Sequence, residues 1–320
     1  MVKIGIIGIG KWGINHLKSL KNIDCEIIGI SDVNPEIKKI ADEYQIKFYL
    51  NYLDLLNETE AVTIAGPTDL HYEMVKKCLQ NGKHVLVEKP ISLTSKQSKE
   101  LITLAKNKNL VLSVGYLFRF NNSIKYIKKQ IDNIGKIQYI TCRYIHSTKP
   151  PRRDSGVILN LGIHVIDILN FILKKKPSKV YVKKKNLLSK KFEDSAIIIL
   201  DYKDFFASIE LSCTHPEKKR DMWIIAEKEK IYVDFFNQKI LRYPIIVSYE
   251  QIKHEKIIEE KINPNEPLKD ELEYFIKYIQ EKKKKKISYN ENIGNEDYYT
   301  TRICELSIKS AETGKEMIIK

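Results

Sequence analysis

The first 115 residues of this 320-residue chain switch repeatedly between two hydrophobic periods, and that alternation limits what it can fold into. Residues 3–7, 26–31, 61–65, 84–88 and 110–114 are short, β-branched, nearly continuous apolar runs. Such runs read as strands buried on both faces, as in a parallel sheet. Between them, 13–20, 35–44, 71–81 and 94–107 carry apolar residues at helical spacing, with Ile14, Leu17 and Leu20 on one face of the first. Asn34-Pro35 opens one helix with proline in its first turn, and Gly82 closes another. Strand–helix alternation of this kind builds right-handed βαβ units and a doubly wound α/β sheet.

Beyond Gly115 the pattern changes. A helix at 122–132 is followed by a strand-like run at 137–145, a loop at 147–155 and an apolar segment at 156–173. Alternating runs at 179–185, 195–202, 205–213, 222–226 and 230–235 are spaced like an antiparallel meander. Helices at 267–280 and 297–313 finish the chain, with the lysine run 282–286 between them as a low-complexity connection. The expectation is two domains, which the length also favours. Residues 1–118 form an N-terminal Rossmann domain, and 119–320 an α+β domain with a mainly antiparallel open sheet.

The first strand runs into IGIIGIGKWGINHL at 4–17, where Gly8, Gly10 and Gly13 make G-x-G-x-x-G. In that context Gly8 permits the tight turn, Gly10 lets backbone approach a pyrophosphate, and Gly13 lets the helix pack closely on the strand. Lys11 and Trp12 lie in the same turn, whose helix N-terminus offers free N–H groups to the phosphates. The second strand ends at Asp32, 19 residues past Gly13. An acid there accepts from ribose hydroxyls and repels a 2′-phosphate, which favours NAD over NADP. A plainer reading makes Asp32 an N-cap for the helix that follows.

Net charge is +14, from 55 Lys+Arg against 41 Asp+Glu, and invites a nucleic-acid partner. Only seven of those cations are arginine, and the chain has no basic helix or aromatic–basic ribbon. The expectation is therefore no nucleic acid, with the lysine excess a mild steering field for anionic small molecules. The five cysteines are scattered without a C-x-x-C pair, so no metal site is expected and a reducing, cytoplasmic setting fits. No secretory signal opens the chain. The longest apolar stretch, 157–173, holds Asn160, His164, Asp167 and Asn170, which speaks against a membrane span.

Two stretches carry the chemistry. HVLVEKP at 84–90 is a strand ending in Glu88-Lys89-Pro90 at the carboxyl edge of the sheet, where open α/β sheets bind ligands. The X-Pro bond there can be cis. A lysine in that position can hydrogen-bond a substrate hydroxyl, although alone it reads more readily as a solvated strand end. In SGVILNLGIHVIDIL at 155–169, Asn160, His164 and Asp167 fall within about a 60° stripe of one helix. A polar stripe on a buried helix meets either a cavity or structural partners, since unpaired buried polar groups are costly.

Together these stretches resemble the glucose–fructose oxidoreductase/inositol dehydrogenase/rhizopine-catabolism family (GFO/IDH/MocA), over nearly the whole chain. The carrying segments are GIGKWG at 8–13, SDVN at 31–34, GPTDLHYE at 66–73, GKHVLVEKP at 82–90, VGYLFRFN at 114–121, SGVILNLGIHVID at 155–167 and EPLKDELEYF at 266–275. The resemblance implies an NAD-dependent oxidoreductase acting on a CH–OH group. Lys89 and His164 flank the reacting carbinol, and Pro67, Thr68, His71 and Glu88 join the glycine turn in holding NAD. Where many members carry Asp four residues before the histidine, this chain has Asn160, which can hydrogen-bond but not relay a proton. The N-L-G-I-H version looks like the branch that oxidises C3 of UDP-linked 2-acetamido sugars. That branch comprises the UDP-N-acetylglucosaminuronate and UDP-N-acetylglucosamine 3-dehydrogenases.

The expected reaction is reversible hydride transfer from C3 of a UDP-linked N-acetylated hexose or hexuronate to NAD, for a surface-glycan precursor. His164 is the first candidate for the base, its ordinary pKa suiting neutral pH, with Lys89 as the alternative. Otherwise Lys89 stabilises developing alkoxide charge. Asn160 orients Lys89 or a sugar hydroxyl, Tyr116 and Arg119 line the sugar pocket, and Arg152-Arg153 hold a diphosphate or carboxylate. Two other readings stand beside this one: a dehydrogenase of a free polyol such as myo-inositol, and a non-catalytic NAD sensor. The exposed face of the second sheet is a natural surface for a homo-oligomer, dimer or tetramer.

Overall fold

Nearly continuous runs of β-branched residues give the first 115 residues their buried strands, and the chain order of those strands sets the sheet. The computed structural model describes residues 1–147, 154–285 and 292–319. The first sheet contains β1 (Val2–Ile7), β2 (Cys25–Ser31), β3 (Lys47–Tyr49), β4 (Ala61–Ile64), β5 (His84–Glu88) and β6 (Leu112–Gly115). They pair in the order β3-β2-β1-β4-β5-β6, parallel throughout. This is the doubly wound dinucleotide-binding order, with its switch point between β1 and β4. The helices between them are α1 (Lys11–Leu20), α2 (Lys38–Tyr44), α3 (Tyr52–Leu56), α4 (His71–Gln80) and α5 (Ser95–Asn107). Asn51 and Thr94 cap α3 and α5 through their side chains.

The second sheet has nine strands, beginning with β7 (Ile137–Ile145), which follows α6 (Asn122–Gln130). A π-helical turn, Ile158–Gly162, leads into α7 (Ile163–Leu173). Then come β8 (Lys179–Lys185), β9 (Ser195–Asp201), β10 (Phe206–Ser212), β11 (Lys219–Ala226), β12 (Lys230–Asp234) and β13 (Lys239–Tyr243). A separate two-stranded piece pairs β14 (Ile245–Val247) with β15 (Ile252–His254). Next are β16 (Ile258–Glu260), α8 (Pro267–Lys285), α9 (Asn292–Thr313) and β17 (Met317–Ile318). The sheet order is β16-β13-β12-β11-β7-β10-β9-β8-β17, and only the β7–β10 pair is parallel. At Gly162 an added Cβ would lie 2.8 Å from Leu211 Cδ1, so the helical segment packs closely on the face of β10.

The division of the chain differs from a single cut after residue 118. One unit comprises residues 1–117 and 266–301, the other 118–265 and 302–320. The reason is α8: its Leu272, Phe275, Ile276 and Ile279 join Val2, Ile4, Ile6, Leu17 and Leu20 in one core. The helix also runs on to Lys285, into the lysine run expected to form a connection. Lys283 pairs with Glu60 at 2.6 Å, and Lys282 donates to Asn109. The doubly wound sheet is thus completed by a helix from the far end of the sequence.

Because Phe275 is 1 % exposed in that core, Phe275→Ala is expected to destabilise the protein by about 3–5 kcal/mol. Urea unfolding followed by circular dichroism checks this, and a loss under about 1 kcal/mol would contradict the packing described.

Candidate active site

At the carboxyl ends of β1, β2, β4 and β5 the sequence places Gly8, Asp32, Pro67 and Lys89, and adjacent strands bring them to one edge. Gly8 has φ +85, a left-handed conformation that a side chain would strain. A Cβ on Gly13 would lie 1.9 Å from the Gly8 carbonyl oxygen, which is why α1 can start so close to the turn. At Gly10, in contrast, nothing lies within 4 Å of an added Cβ. That open space at the N-terminus of a ten-residue helix fits a dinucleotide pyrophosphate. Lys11 is exposed and Trp12 is 36 % exposed, both in the first turn of α1.

Asp32 fixes the glycine turn directly. Its carboxylate accepts from Ile9 N at 2.7 Å and from Asn34 N at 2.9 Å. Each oxygen keeps an acceptor position for a ribose hydroxyl. The capping role belongs instead to Asn34, whose side chain accepts from Glu36 N.

Behind Lys89, two histidines hold the turn. His16 of α1, wholly buried, donates from Nε2 to Glu88 Oε1 at 3.1 Å, and Lys89 N–H donates to Glu88 Oε2 at 3.3 Å. Burial alone pushes the Glu88 carboxyl up. The His16 hydrogen bond, then the charges of His16, Lys89 and His71, overcome that and hold it below the ordinary carboxylate range. His71, at the start of α4, has Nδ1 2.6 Å from Pro90 O and Nε2 3.1 Å from Gly66 O. Carbonyls only accept, so the ring nitrogen that carries a proton donates to the carbonyl it faces. The Lys89–Pro90 bond is cis. Lys89 is 5 % exposed and Thr68, beside half-exposed Gly66 and exposed Pro67, is buried. Tyr116, expected in the sugar pocket, follows β6 in this unit and is buried, its N–H donating to Val114 O.

In the second unit the polar stripe resolves into separate roles. Asn160 lies within the π-helical turn, and its backbone N–H donates to Gly156 O. A helix of constant 3.6-residue period therefore does not describe its direction. Gly156 is itself constrained, because an added Cβ would sit 2.1 Å from Glu193 Oε1. That buried carboxylate accepts from Ile158 N at 3.0 Å and pins the start of the segment. His164, 6 % exposed, is held by two rings: Phe118 edge-on at 5.3 Å and Tyr144 stacked at 5.9 Å. Asp167 meets Arg119, whose Nε lies 3.0 Å from Oδ2 and whose second nitrogen also contacts the carboxylate. The guanidinium expected to line the sugar pocket is thus engaged in a buried ion pair. Arg152 and Arg153 lie outside the described residues.

His16 and Glu193 were not anticipated. His16 had a signal, falling three residues after Gly13 and four before Leu20 on the buried face of α1. Glu193 had none, since its partner at 158 is 35 residues away in sequence.

Two family models match the chain: an oxidoreductase family with an NAD-binding Rossmann fold over residues 2–116, and the GFO/IDH/MocA C-terminal domain over 124–232. The chain belongs to the GFO/IDH/MocA family. It is an NAD-binding oxidoreductase of that family, and its Gly8–Gly13 turn and Asp32 suit the cofactor. Among GFO/IDH/MocA relatives, the UDP-N-acetylglucosamine 3-dehydrogenase of Acidithiobacillus ferrooxidans is 27 % identical over 243 residues, 76 % of this chain and 77 % of that one. The myo-inositol 2-dehydrogenase of Thermotoga maritima is 28 % identical over 218 residues, 63 % of this chain and 65 % of that one. The solved structure of the Acidithiobacillus enzyme superposes with a TM-score of 0.84, covering 98 % of both chains at 24 % identity. Among the described residues, no helix is long and apolar enough to cross a membrane, and no cluster of His, Cys, Asp or Glu could hold a metal.

A depressed carboxyl pKa stabilises the fold above the ordinary value near 4.5, and that contribution disappears as pH falls through the lowered value. The stability lost between about pH 7 and about pH 3 is therefore expected to be smaller in Glu88→Gln than in the unaltered protein. Urea midpoints at the two pH values measure it, and equal losses would remove the role given to Glu88.

Proposed function

We propose that this chain is an NAD-dependent dehydrogenase acting on a CH–OH group, oxidising C3 of a UDP-linked N-acetylated hexose or hexuronate to the 3-keto sugar. The product would serve a surface-glycan precursor. The observation that carries the reading is the pairing of the EKP lysine with the N-L-G-I-H helix, in a chain 27 % identical to a UDP-N-acetylglucosamine 3-dehydrogenase. Bound NAD supplies the hydride acceptor. In this reading His164 takes the C3 hydroxyl proton, its ring orientation fixed by Phe118 and Tyr144. Lys89 donates to the same oxygen and stabilises its developing negative charge, while the clamp on Glu88 and His71 keeps the turn from shifting. Asn160 orients the sugar through its amide without taking a proton. Five free cysteines, four of them buried, suit a reducing compartment, and the reading puts the enzyme in the cytoplasm.

The myo-inositol relative at 28 % identity supports a second reading, oxidation of a free polyol at the same residues. NADH formation with UDP-N-acetylglucosamine, its uronate and myo-inositol separates the two. Turnover of inositol alone would overturn the first. Lys89→Met and His164→Ala are each expected to lower kcat by about 10²–10⁴-fold while NADH affinity persists. Unchanged turnover in both would sink the assignment, and tight NADH binding without turnover of any sugar would favour a sensor.

We also propose a homo-oligomer built on the sheet face that carries Tyr139, Ile197 and Phe206, each more than a third exposed, the two aromatics stacked at 5.8 Å. Sedimentation of the unaltered protein is expected to show a dimer or tetramer, and Phe206→Glu to shift it toward monomer. A monomer in both cases would refute it.

A further inference from the structure

Arginine is scarce in this chain, and four of the five described arginines are committed to acids. Arg119 is held by Asp167, Arg143 by Asp221, Arg242 by Glu229 and Glu260, and Arg302 by Glu305. Arg220 is the exception: among the described residues it has no acidic partner, and its Nε is shut from solvent without a hydrogen bond. The neighbouring carboxylate, Asp221, is already taken by Arg143 at 2.9 and 2.6 Å and by the Tyr232 hydroxyl at 3.0 Å.

What holds Arg220 is aromatic. Its guanidinium carbon lies 4.7 Å from the Tyr144 ring centroid and 4.9 Å from that of Phe236. Arg220 and Tyr144 are direct cross-strand partners of β11 and β7. The same Tyr144 ring stacks on His164, so the cation stands one ring away from the candidate base. Lys218 lies over Phe236 at 4.3 Å, adding a second positive charge. The field is felt locally: burial, then the charges of Arg220 and Lys218, hold the His146 imidazole below its ordinary range. Ring contacts satisfy the face of a guanidinium but not its N–H edge, which is shaped for a bidentate oxyanion.

We propose that Arg220 recognises an oxyanion carried by the sugar substrate, so that the site selects anionic over neutral sugars. This rests on the sugar-dehydrogenase reading above. The oxyanion could come from a C6 carboxylate or from the diphosphate at C1, and one experiment distinguishes them. Calorimetry on the full-length protein with NADH present would use UDP-N-acetylglucosamine, its uronate, free glucuronate, inorganic diphosphate and myo-inositol. It would compare the unaltered protein with Arg220→Met and Arg220→Lys, NADH affinity serving as the check on folding.

Arg220→Met is expected to weaken the anionic ligands by about 10–100-fold and to raise KM more than it lowers kcat. Affinity for inositol should stay unchanged, and Arg220→Lys should recover part of the loss. A loss confined to the uronate and free glucuronate identifies the carboxylate. An equal loss for both UDP-sugars and for inorganic diphosphate identifies the diphosphate. Anionic ligands bound within about two-fold of the unaltered protein by Arg220→Met, or not bound by either protein, would overturn the proposal. If no UDP-sugar is turned over while free glucuronate or diphosphate still binds through Arg220, the substrate reading fails and the oxyanion site stands.

Discussion

A carboxylate shut away from water has to be met by donors, and the cofactor half of this protein is arranged around one. Glu88 is 6 % exposed at the end of β5, and leaving such a charge uncompensated costs several kcal/mol. Its donors come from α1, through His16, and from the backbone of Lys89. Gly115 of β6 leaves the room it needs, since an added Cβ there would sit 3.3 Å from the carboxylate. The helix that starts at the glycine turn, the strand before the EKP turn and the last strand of the sheet are thereby tied to one group. His71 adds a second tie, from the turn after β4 to Pro90. Lys89 is therefore positioned by the sheet itself rather than by a loop free to adjust.

The second unit solves a different problem, that of keeping polar side chains on a helix with almost no exposed surface. Asp167 meets a guanidinium, His164 is fixed by rings on both an edge and a face, and Asn160 sits in a widened turn started by Glu193. Asp167 is thereby committed to an ion pair, and the proposed reaction draws on Asn160 and His164. A π-helical turn at that point gives Asn160 a direction that a regular helix would not.

Most of the architecture was legible because it follows from local patterning. The strand at 84–88 matches β5 residue for residue, and the glycine spacing announced the turn that Gly8 and Gly13 make. Lys47–Tyr49 and Tyr52–Leu56 were too short to show a period. Strands β13 to β17 lie in a stretch without clean alternation, where pairing to neighbours decides the structure. In the site, residue types were legible and partnerships were not. Nothing local tells Arg119, which has an acid, from Arg220, which has aromatic rings, because Asp167 lies 48 residues from the first, and Tyr144 and Phe236 lie 76 and 16 from the second. The polar stripe showed that partners were required but not which residues supply them.

The helix Pro267–Lys285 makes the cofactor unit discontinuous in sequence, and that sets an order of events during synthesis. The strands and most helices of the doubly wound sheet leave the ribosome within the first 117 residues, but the core that Leu272, Phe275, Ile276 and Ile279 complete is not available until about 150 residues later. For that interval the apolar side of α1 around Leu17 and Leu20 lacks its cover. Loop closure over so long a separation costs little more than over a short one, so the arrangement weighs on folding rate and on exposure of the nascent chain rather than on final stability. The cofactor unit can thus complete its core only after residues 272–279 have been made.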